Sequence, residues 1–229
     1  TNRYLLPFAK KIFVSYKDLE GVPKKYKNKI FEIGNLIRKE IINFNEKKKE
    51  NNNLEAINIL VLGGSQAAQV FAEKLPQIFK RCKEDGIVIK VYQQCLKSQN
   101  EEISIFYKNL NINFEIFNFS RNIVDYFSKV NLAITRSGAS MLGELTNANI
   151  PFISVPLPTS ADNHQLKNAL YYEKKNFGYL IEEKDINNKL FDLIKSLYKD
   201  KFLIKKIKIN QSQYSDKNIF KNINSQLEE

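Results

Sequence analysis

The sequence has few of the residues from which proteins build metal and redox centres. It contains two cysteines and one histidine among 229 residues. Cys82 and Cys95 are too far apart for a Cys-x-x-Cys motif, and two cysteines cannot complete a structural zinc site. His164 lies in a predicted polar loop, and we do not assign it as a general base. We expect two reduced thiols, no metal and no cofactor.

Long hydrophobic runs are also absent. No apolar run approaches the ~20 residues that a membrane-spanning helix needs, and we expect no signal peptide. A hydrophobic content of 43% is typical of a soluble globular protein. The chain opens with Thr1 rather than Met, so we expect further sequence to precede it in the natural protein.

Acidic residues are outnumbered, since 36 Lys and Arg against 25 Asp and Glu give a formal net charge of +11. Such a charge suits a nucleic acid or an anionic membrane surface. The lysines are scattered over several predicted helices, however, and no arginine-rich or aromatic-interleaved RNA motif occurs. We expect no nucleic-acid partner. A basic nucleic-acid-binding protein stays open as an alternative, ranked after the three enzyme and nucleotide-sugar hypotheses given below.

The order of predicted elements indicates an α/β fold. A polar run at 45–53, "NEKKKENNN", marks the likeliest domain boundary. Before it the pattern predicts a helix over 4–10, strands over 11–16 and 29–34, and a helix that contains Arg38 and Ile41. After it, strands are predicted at 57–64, 87–94, 114–119, 132–136, 152–155 and 179–181. Helices are predicted between them, at 66–82, 101–109, 123–129, 139–148 and 165–175.

This alternation predicts a doubly wound parallel sheet, covered on both faces. From Asp185 onward the pattern is helical only. We expect three regions: residues 1–44, which the family resemblance described below implies to be the end of an N-terminal domain with a linker, 45–203 as a Rossmann-like domain, and 204–229 as a C-terminal helical segment.

Ligands of doubly wound sheets lie beyond the carboxyl ends of the strands, so the loops there are the first place to look for a site. The first such loop is Gly63-Gly64-Ser65, between a buried strand and a helix that Ser65 is suited to cap. Free N–H groups and the helix dipole make this turn an anion site. It is neither a Walker A loop nor a GxGxxG motif. A tight turn without any ligand is the alternative.

A second glycine turn, Ser137-Gly138, also follows a strand and precedes a helix. Glu144 in that helix can point back to the same crevice, where a carboxylate suits the two hydroxyls of a ribose. Alternatively, Glu144 only favours the helix dipole, which is worth ~0.3–1 kcal/mol. Gln165, after the proline-rich loop "PLP", can offer donors and acceptors to sugar hydroxyls, or is simply a surface residue.

Taken in order, "GGSQ", "RSGA…E" and "P…VP" followed by "HQ" resemble the C-terminal half of the MurG family. These are GT-B N-acetylglucosaminyltransferases that convert lipid I to lipid II in peptidoglycan synthesis. "NRYLLPFAKKIFVSY" and "GNLIRKEI" are similar to the family's late N-domain segment and its GNPVR motif. The resemblance implies UDP-GlcNAc as donor, lipid I as acceptor, and a peripheral position on the anionic cytoplasmic face of the bacterial inner membrane.

The resemblance also implies a role for individual residues. Arg38 matches an arginine near the diphosphate, Ser65 a phosphate-binding serine, and Ser120 a loop residue that holds uracil through its backbone. Glu144 matches the ribose position and Gln165 the residue that grips the GlcNAc hydroxyls. The implied donor-binding set is Arg38, Ser65, Ser120, Ala139, Ser140, Met141, Leu142, Gly143, Glu144 and Gln165. No catalytic residue is assigned.

Three positions depart from the family pattern. Leu36 replaces the proline of GNPVR, Ala67 replaces the glycine of GGSQG, and Met141 stands where threonine is often found. These changes bear on donor affinity more than on the fold. No Asp-x-Asp pair occurs, so helix dipoles and Arg38 would neutralise the leaving diphosphate without a metal.

In that family the N-terminal domain carries the acceptor site, the proposed base and a membrane-facing patch, and this chain matches only its last helix and strand. We therefore expect the chain to bind UDP-GlcNAc or UDP without transferring sugar alone. A nucleotide-sugar subunit that works with a separate acceptor chain and a UDP-GlcNAc epimerase-like protein are further alternatives.

The C-terminal tail predicts one more helix. Ser215 is suited to cap it, and Ile219, Phe220, Ile223 and Leu227 form an apolar stripe at helical spacing. In GT-B proteins the last helix packs on the N-terminal domain, and the resemblance implies the same here. Because this chain matches only the end of that domain, we expect the stripe to be partly unburied unless it packs on residues 4–16. The helix should then fray, so that its amides exchange faster than those of the strand at 57–62.

Overall fold

The computed structural model describes residues 2–16, 22–47, 55–120 and 122–228, with the side chains of 2, 3, 45–47 and 65–68 outside that description. The strands are β1 Ile12–Val14, β2 Ile30–Glu32, β3 Ile57–Leu62, β4 Ile89–Gln94, β5 Asn113–Phe117, β6 Leu132–Thr135, β7 Phe152–Ser154 and β8 Gly178–Leu180. The helices are α1 Asn2–Leu5, α2 Lys39–Lys47, α3 Gly64–Glu84, α4 Asn100–Asn109, α5 Val124–Phe127, α6 Ala139–Asn147, α7 His164–Lys174, α8 Ile186–Lys199, α9 Lys201–Ser212 and α10 Ile219–Glu228.

A six-stranded parallel sheet organises most of the chain, in the order β5-β4-β3-β6-β7-β8. The chain moves outward from β3 to β5 and then returns to place β6 beside β3. The strand order therefore reverses between β3 and β6, which is where a doubly wound sheet opens a crevice at its carboxyl edge. The fold class predicted from the sequence is confirmed.

Both faces of this sheet are covered, as the near-continuous apolar runs of β3 and β6 require. One core cluster joins a face of the sheet to α3, α4 and α8, with Phe71, Tyr107 and Ile194 fully buried. The other joins the opposite face to α2, α5, α6 and α7, with Ile41 and Phe127 fully buried. The two clusters cover both faces of the central strands and leave the carboxyl edge of the sheet accessible to ligands.

The N-terminal segment forms a small parallel pair, β1 with β2, and packs on the larger domain. The Tyr16 ring stacks on Tyr171 of α7, with ring centroids 4.2 Å apart and planes inclined by 19°. The Tyr16 hydroxyl also donates to the Asn168 side-chain oxygen. Burial raises the pKa of the Tyr16 phenol above its ordinary value. This contact fixes the start of the chain against the sheet domain.

Most predicted elements are confirmed within a few residues, and the errors concern their ends. The helix predicted over 4–10 is wrong, because α1 ends at Leu5 and the chain continues in turns. Ser65 is not the cap of α3, since that helix already begins at Gly64. Arg38 precedes α2 rather than lying inside it, and its carbonyl accepts the Ile41 N–H at 3.0 Å.

The C-terminal helix α10 is only partly packed, as the sequence predicts. Ile219 is fully buried, whereas Phe220 and Leu227 are 57% and 66% exposed. Ser215 is not its cap, because α10 begins at Ile219, whose N–H donates to the Asp216 carbonyl at 3.1 Å. Within the described ranges, no helix is long and apolar enough to span a bilayer.

Candidate nucleotide-sugar site

A cleft of about 520 Å³ opens at the carboxyl edge of the sheet, where the strand order reverses. Its walls come from the β3–α3 turn, the ends of β4 and β5, the β6–α6 turn, and the loop between β7 and α7. Of the predicted site residues, Arg38, Ser120, Met141 and Gln165 line it. The side chain of Ser65 lies outside the described residues.

The β3–α3 turn needs glycine at one position. Gly64 has φ +65, a backbone conformation that side-chain-bearing residues rarely adopt. Its N–H donates to the Gln94 side-chain oxygen at 3.3 Å, and the Gln94 amide donates to the Asn118 carbonyl at 3.2 Å. Gln94 thus fastens the turn to the loop that follows β5 and fixes the direction of the α3 N-terminus.

The first turn of α6 supplies the second helix N-terminus at the cleft. Leu142 is the first residue whose N–H is bonded within the helix, to the Gly138 carbonyl at 3.0 Å. The N–H groups of Ala139, Ser140 and Met141 therefore have no acceptor in the preceding turn of helix. Ser140 is exposed and Met141 half-buried, so this first turn is accessible from the cleft.

The next two residues of the predicted set contribute to the core instead. The Leu142 side chain is fully buried in the cluster between α6 and the sheet. A Cβ added at Gly143 would lie 2.9 Å from Cγ of Asn35, so glycine there allows the segment before α2 to pack directly on α6. Within the run 139–144, the first three residues thus offer accessible backbone N–H groups, whereas Leu142 and Gly143 make packing contacts.

Arg38 and Glu144 form a two-point ion pair at the edge of the cleft. Arg38 Nε donates to Glu144 Oε1 and Nη2 to Oε2, both at 2.7 Å. The Arg38 side chain is 44% exposed, whereas that of Glu144 is 8% exposed. The hydrogen bonds to Glu144 raise the pKa of the Arg38 guanidinium. Glu144 lies in the second turn of α6, and its carboxylate reaches the cleft edge through Arg38.

Gln165 is already engaged by the protein itself. Its side-chain oxygen accepts the Ser137 N–H at 3.2 Å and the Leu157 N–H at 3.0 Å. Both lone pairs of that oxygen are used, so a ligand can only receive hydrogen bonds from the NH₂ group. The expectation that Gln165 offers acceptors as well as donors is therefore wrong, and its oxygen instead joins two loops of the site.

A second arginine, Arg136, also lines the cleft. Its Nη1 donates to the carbonyls of Val155 and Pro156 at 3.3 and 3.2 Å, and its Nη2 pairs with Glu183 at 2.5 Å. The guanidinium lies over the Phe71 ring, 5.0 Å from its centroid. The buried Nε finds no hydrogen-bond partner among the described residues.

The sequence analysis assigned no role to Arg136 or to Gln94, although both lie at the carboxyl ends of strands, where ligands of doubly wound sheets bind. Gln94 is the last residue of β4, and Arg136 directly follows β6. The pattern identified Arg136 only as the end of a strand, and the loop after β4 was not among those considered. Their positions at the reversal of strand order were the available signal.

Aromatic residues form the wall of the cleft beyond β5. Phe117 and Phe119 line it together with Ser120 and Ile123, and the Phe119 ring is 77% exposed. A flat ring accessible from a cleft can stack on a planar base, and the backbone at Ser120 can hydrogen-bond the edge of that base. No cluster of three or more His, Cys, Asp or Glu suited to a metal occurs in the part of the chain that the structure describes.

The chain belongs to glycosyltransferase family 28, because residues 58–227 match the model of the family's C-terminal domain. It is 36% identical, over 99% of its length, to the UDP-N-acetylglucosamine–N-acetylmuramyl-(pentapeptide) pyrophosphoryl-undecaprenol N-acetylglucosamine transferase of Pelagibacter ubique. It is 35% identical, over 84% of its length, to the transferase of the same name from Rickettsia bellii.

The fold comparison agrees with the family. The crystal structure of Acinetobacter baumannii MurG matches 97% of this chain and 62% of that one, with a TM-score of 0.77 at 20% identity. The chain spans less than two thirds of the curated relatives, 63% of the Pelagibacter protein and 56% of the Rickettsia protein. The resemblance to the MurG family read from the motifs is confirmed.

Proposed function

We propose that this chain is the donor-binding part of a glycosyltransferase that transfers N-acetylglucosamine from UDP-GlcNAc to lipid I. The observation that carries the proposal is the cleft at the strand reversal, where two helix N-termini and Arg38 meet. The names of the Pelagibacter and Rickettsia relatives support the choice of sugar and acceptor.

The diphosphate of the donor binds between the two helix N-termini. The first turn of α6 presents N–H groups that have no acceptor within the helix, and the dipoles of α3 and α6 both favour negative charge there. Arg38 adds a fixed positive charge at the cleft edge. As the bond to the sugar breaks, the diphosphate gains charge, so these groups stabilise the transition state more than the bound donor.

The nucleoside and the sugar occupy opposite ends of the cleft. The base stacks near Phe119 and bonds the backbone at Ser120, and Glu144 accepts the ribose hydroxyls with the lone pairs that Arg38 leaves free. The NH₂ group of Gln165 donates to oxygens of the sugar. Because Arg38 and Glu144 are paired, the diphosphate and ribose contacts are made by one connected unit.

The acceptor and the membrane are further partners in the proposed reaction. Lipid I is taken from the relatives' names, whose proteins are longer than this chain. A net charge of +11 favours approach to the anionic cytoplasmic face of the bacterial inner membrane. Sedimentation with vesicles containing anionic lipid, against neutral vesicles, measures that attraction. Equal sedimentation with both would contradict it.

Calorimetric titration with UDP and UDP-GlcNAc tests donor binding directly. We expect heat from both ligands, and a loss of about tenfold in UDP affinity for Arg38→Ala, because a charged hydrogen-bond partner is removed. Arg81→Ala is the matched control: it removes the same charge from the last turn of α3, where Arg81 contacts Asn187 and Phe191. Absence of heat at millimolar UDP, or equal losses in both variants, would contradict the proposal.

A further inference from the structure

A buried polar cluster lies between the C-terminal segment, the loop before α2, and α6. Asp216 Oδ1 accepts the Asn35 N–H at 3.1 Å and the Tyr214 hydroxyl at 3.0 Å. Asp216 Oδ2 accepts the Asn35 amide at 3.3 Å and the Asn147 amide at 2.7 Å. The Asp216 N–H returns a bond to the Asn147 side-chain oxygen at 2.9 Å. One carboxylate thus joins three separate parts of the chain.

Burying the Asp216 carboxylate costs folding free energy unless hydrogen-bond donors replace the water that it loses. Asp216 is 4% exposed, and each of these four hydrogen bonds comes from a neutral group. A buried carboxylate is tolerated when several donors converge on it, and removing one donor or the charge disturbs the whole arrangement. Burial, and then the neighbouring Asp216 charge, raise the pKa of the Tyr214 phenol, so that hydroxyl stays a donor.

Two glycines show how closely the cluster is packed. Gly34 has φ +95, and a Cβ added there would lie 2.1 Å from Asp216 Oδ1. On the opposite side, Gly143 faces Asn35, as described above. The backbone of the loop before α2 is therefore held between the Asp216 carboxylate and the surface of α6.

The cluster lies next to both partners of the ion pair at the cleft. Arg38 follows Asn35 by three residues, and Glu144 lies between Gly143 and Asn147 on α6. Asn35 and Asn147 are held by the same carboxylate, so their helix and loop keep one relative position. That position sets whether Arg38 can reach both oxygens of Glu144.

We propose that Asp216 is a positioning residue for the donor site: it holds the loop before α2 against α6, so that Arg38 and Glu144 pair at the cleft. The inference rests on the proposed function, since the pair is assigned there to the diphosphate and ribose. It links that site to the C-terminal segment, which also contacts the start of the chain where Lys11 donates to the Gln226 carbonyl. Asp216 itself does not touch the donor.

Asp216→Asn is the primary variant, because it keeps the shape and turns one acceptor oxygen into a donor. That NH₂ group then faces the amides of Asn35 and Asn147, or the Asn35 N–H and the Tyr214 hydroxyl. We expect UDP affinity to fall about tenfold at a temperature where the variant is folded. In an Arg38→Ala background the same change should alter UDP affinity less than about twofold, because it acts through Arg38.

Gln211→Leu is the control for loss of buried hydrogen bonds near the same segment. Gln211 is fully buried and donates to the carbonyls of Ile150 and Phe177 at 3.0 and 2.7 Å, away from the cleft. We expect it to lower the free energy of unfolding while leaving UDP affinity unchanged. An equal loss of UDP affinity in Gln211→Leu and Asp216→Asn would overturn the inference.

A second readout does not depend on ligand binding. The Nε–H of Arg38 donates to Glu144, so its proton resonance in NMR spectra reports the ion pair directly. We expect this resonance to shift and exchange faster in Asp216→Asn and to stay unchanged in Gln211→Leu. An unchanged resonance in Asp216→Asn would overturn the inference even if UDP binds, whereas absence of UDP binding by the parent chain would overturn only the proposed function.

Tyr214→Phe provides a milder variant if Asp216→Asn does not fold. It removes the hydroxyl that donates to Asp216 and accepts from the Asn35 amide at 3.1 Å, and it keeps the carboxylate. We expect the same direction of change at about threefold in UDP affinity, since the Asp216 charge and its three other hydrogen bonds are kept. Parent-like UDP affinity together with a parent-like Arg38 resonance would overturn the inference.

Discussion

Arg38 and Arg136 line the same cleft and each pairs with a glutamate, yet their surroundings differ. The Arg136 side chain is 9% exposed and is held by two carbonyls, Glu183 and an aromatic ring. The Arg38 side chain is 44% exposed and is held by Glu144. A buried guanidinium that is bonded to backbone carbonyls supports the site, whereas one with exposed donors can bind a ligand. The comparison favours a structural role for Arg136 and supports the donor-binding role that we propose for Arg38.

The two arginines should differ most in how much their replacement by alanine lowers the free energy of unfolding. Arg136→Ala leaves two carbonyls and a half-buried carboxylate without their partner, so we expect a loss of about 3 kcal/mol in the free energy of unfolding. Arg38→Ala should cost about 1 kcal/mol or less, because water reaches that edge of the cleft and can replace the partner. Urea unfolding followed by circular dichroism measures both. Equal losses would remove the distinction.

The two glutamates should differ in ligand binding. We expect Glu144→Ala to weaken UDP binding by ~1–3 kcal/mol, the cost of losing a charged hydrogen-bond partner. Glu183→Ala should lower stability and change UDP affinity much less, because Glu183 pairs with Arg136, whose guanidinium is buried and also bonded to two backbone carbonyls. Calorimetry of both variants against the parent chain decides the point. Unchanged affinity in Glu144→Ala would leave Glu144 as a partner of Arg38 alone.

Salt should produce the smallest effect. Raising NaCl from about 0.1 M to about 1 M shortens the screening length from about 10 Å to about 3 Å, which weakens exposed charge pairs more than buried ones. We expect UDP affinity of the parent chain to fall more steeply with salt than that of Arg38→Ala. Identical salt slopes for the two proteins would show that Arg38 does not face the bound diphosphate.

The difference between the arginines also marks the limit of what the sequence predicts. Apolar runs and glycine turns predicted the parallel sheet and both helix N-termini, because burial on two faces and special backbone angles leave a direct trace in residue type. The motif "GNLIR" predicted Arg38 through its resemblance to a family. Nothing in the letters "TRSG" shows that Arg136 is held by carbonyls from another loop.

The C-terminal segment contains one feature that the sequence predicts and one that it does not. The apolar stripe of α10 predicted a helix, since helical periodicity is local, and the resemblance to GT-B proteins predicted its partial exposure. Asp216, by contrast, has its main contacts 181 and 69 residues away, at Asn35 and Asn147. A polar residue in a short loop is typical of a solvated turn, and only the folded chain shows that this one is buried.

The hydrogen bonds of Gln165 have a consequence for the ligand chemistry that the cleft accepts at the end where we propose that the sugar binds. Since its oxygen is saturated by two backbone N–H groups, Gln165 contributes only partial positive charge to that end. A carbonyl or a hydroxyl oxygen can accept from it, whereas an ammonium group, which has only protons to offer, meets a like-signed group. At this residue a sugar whose nitrogen is masked as an amide is therefore favoured over one that carries a free amine.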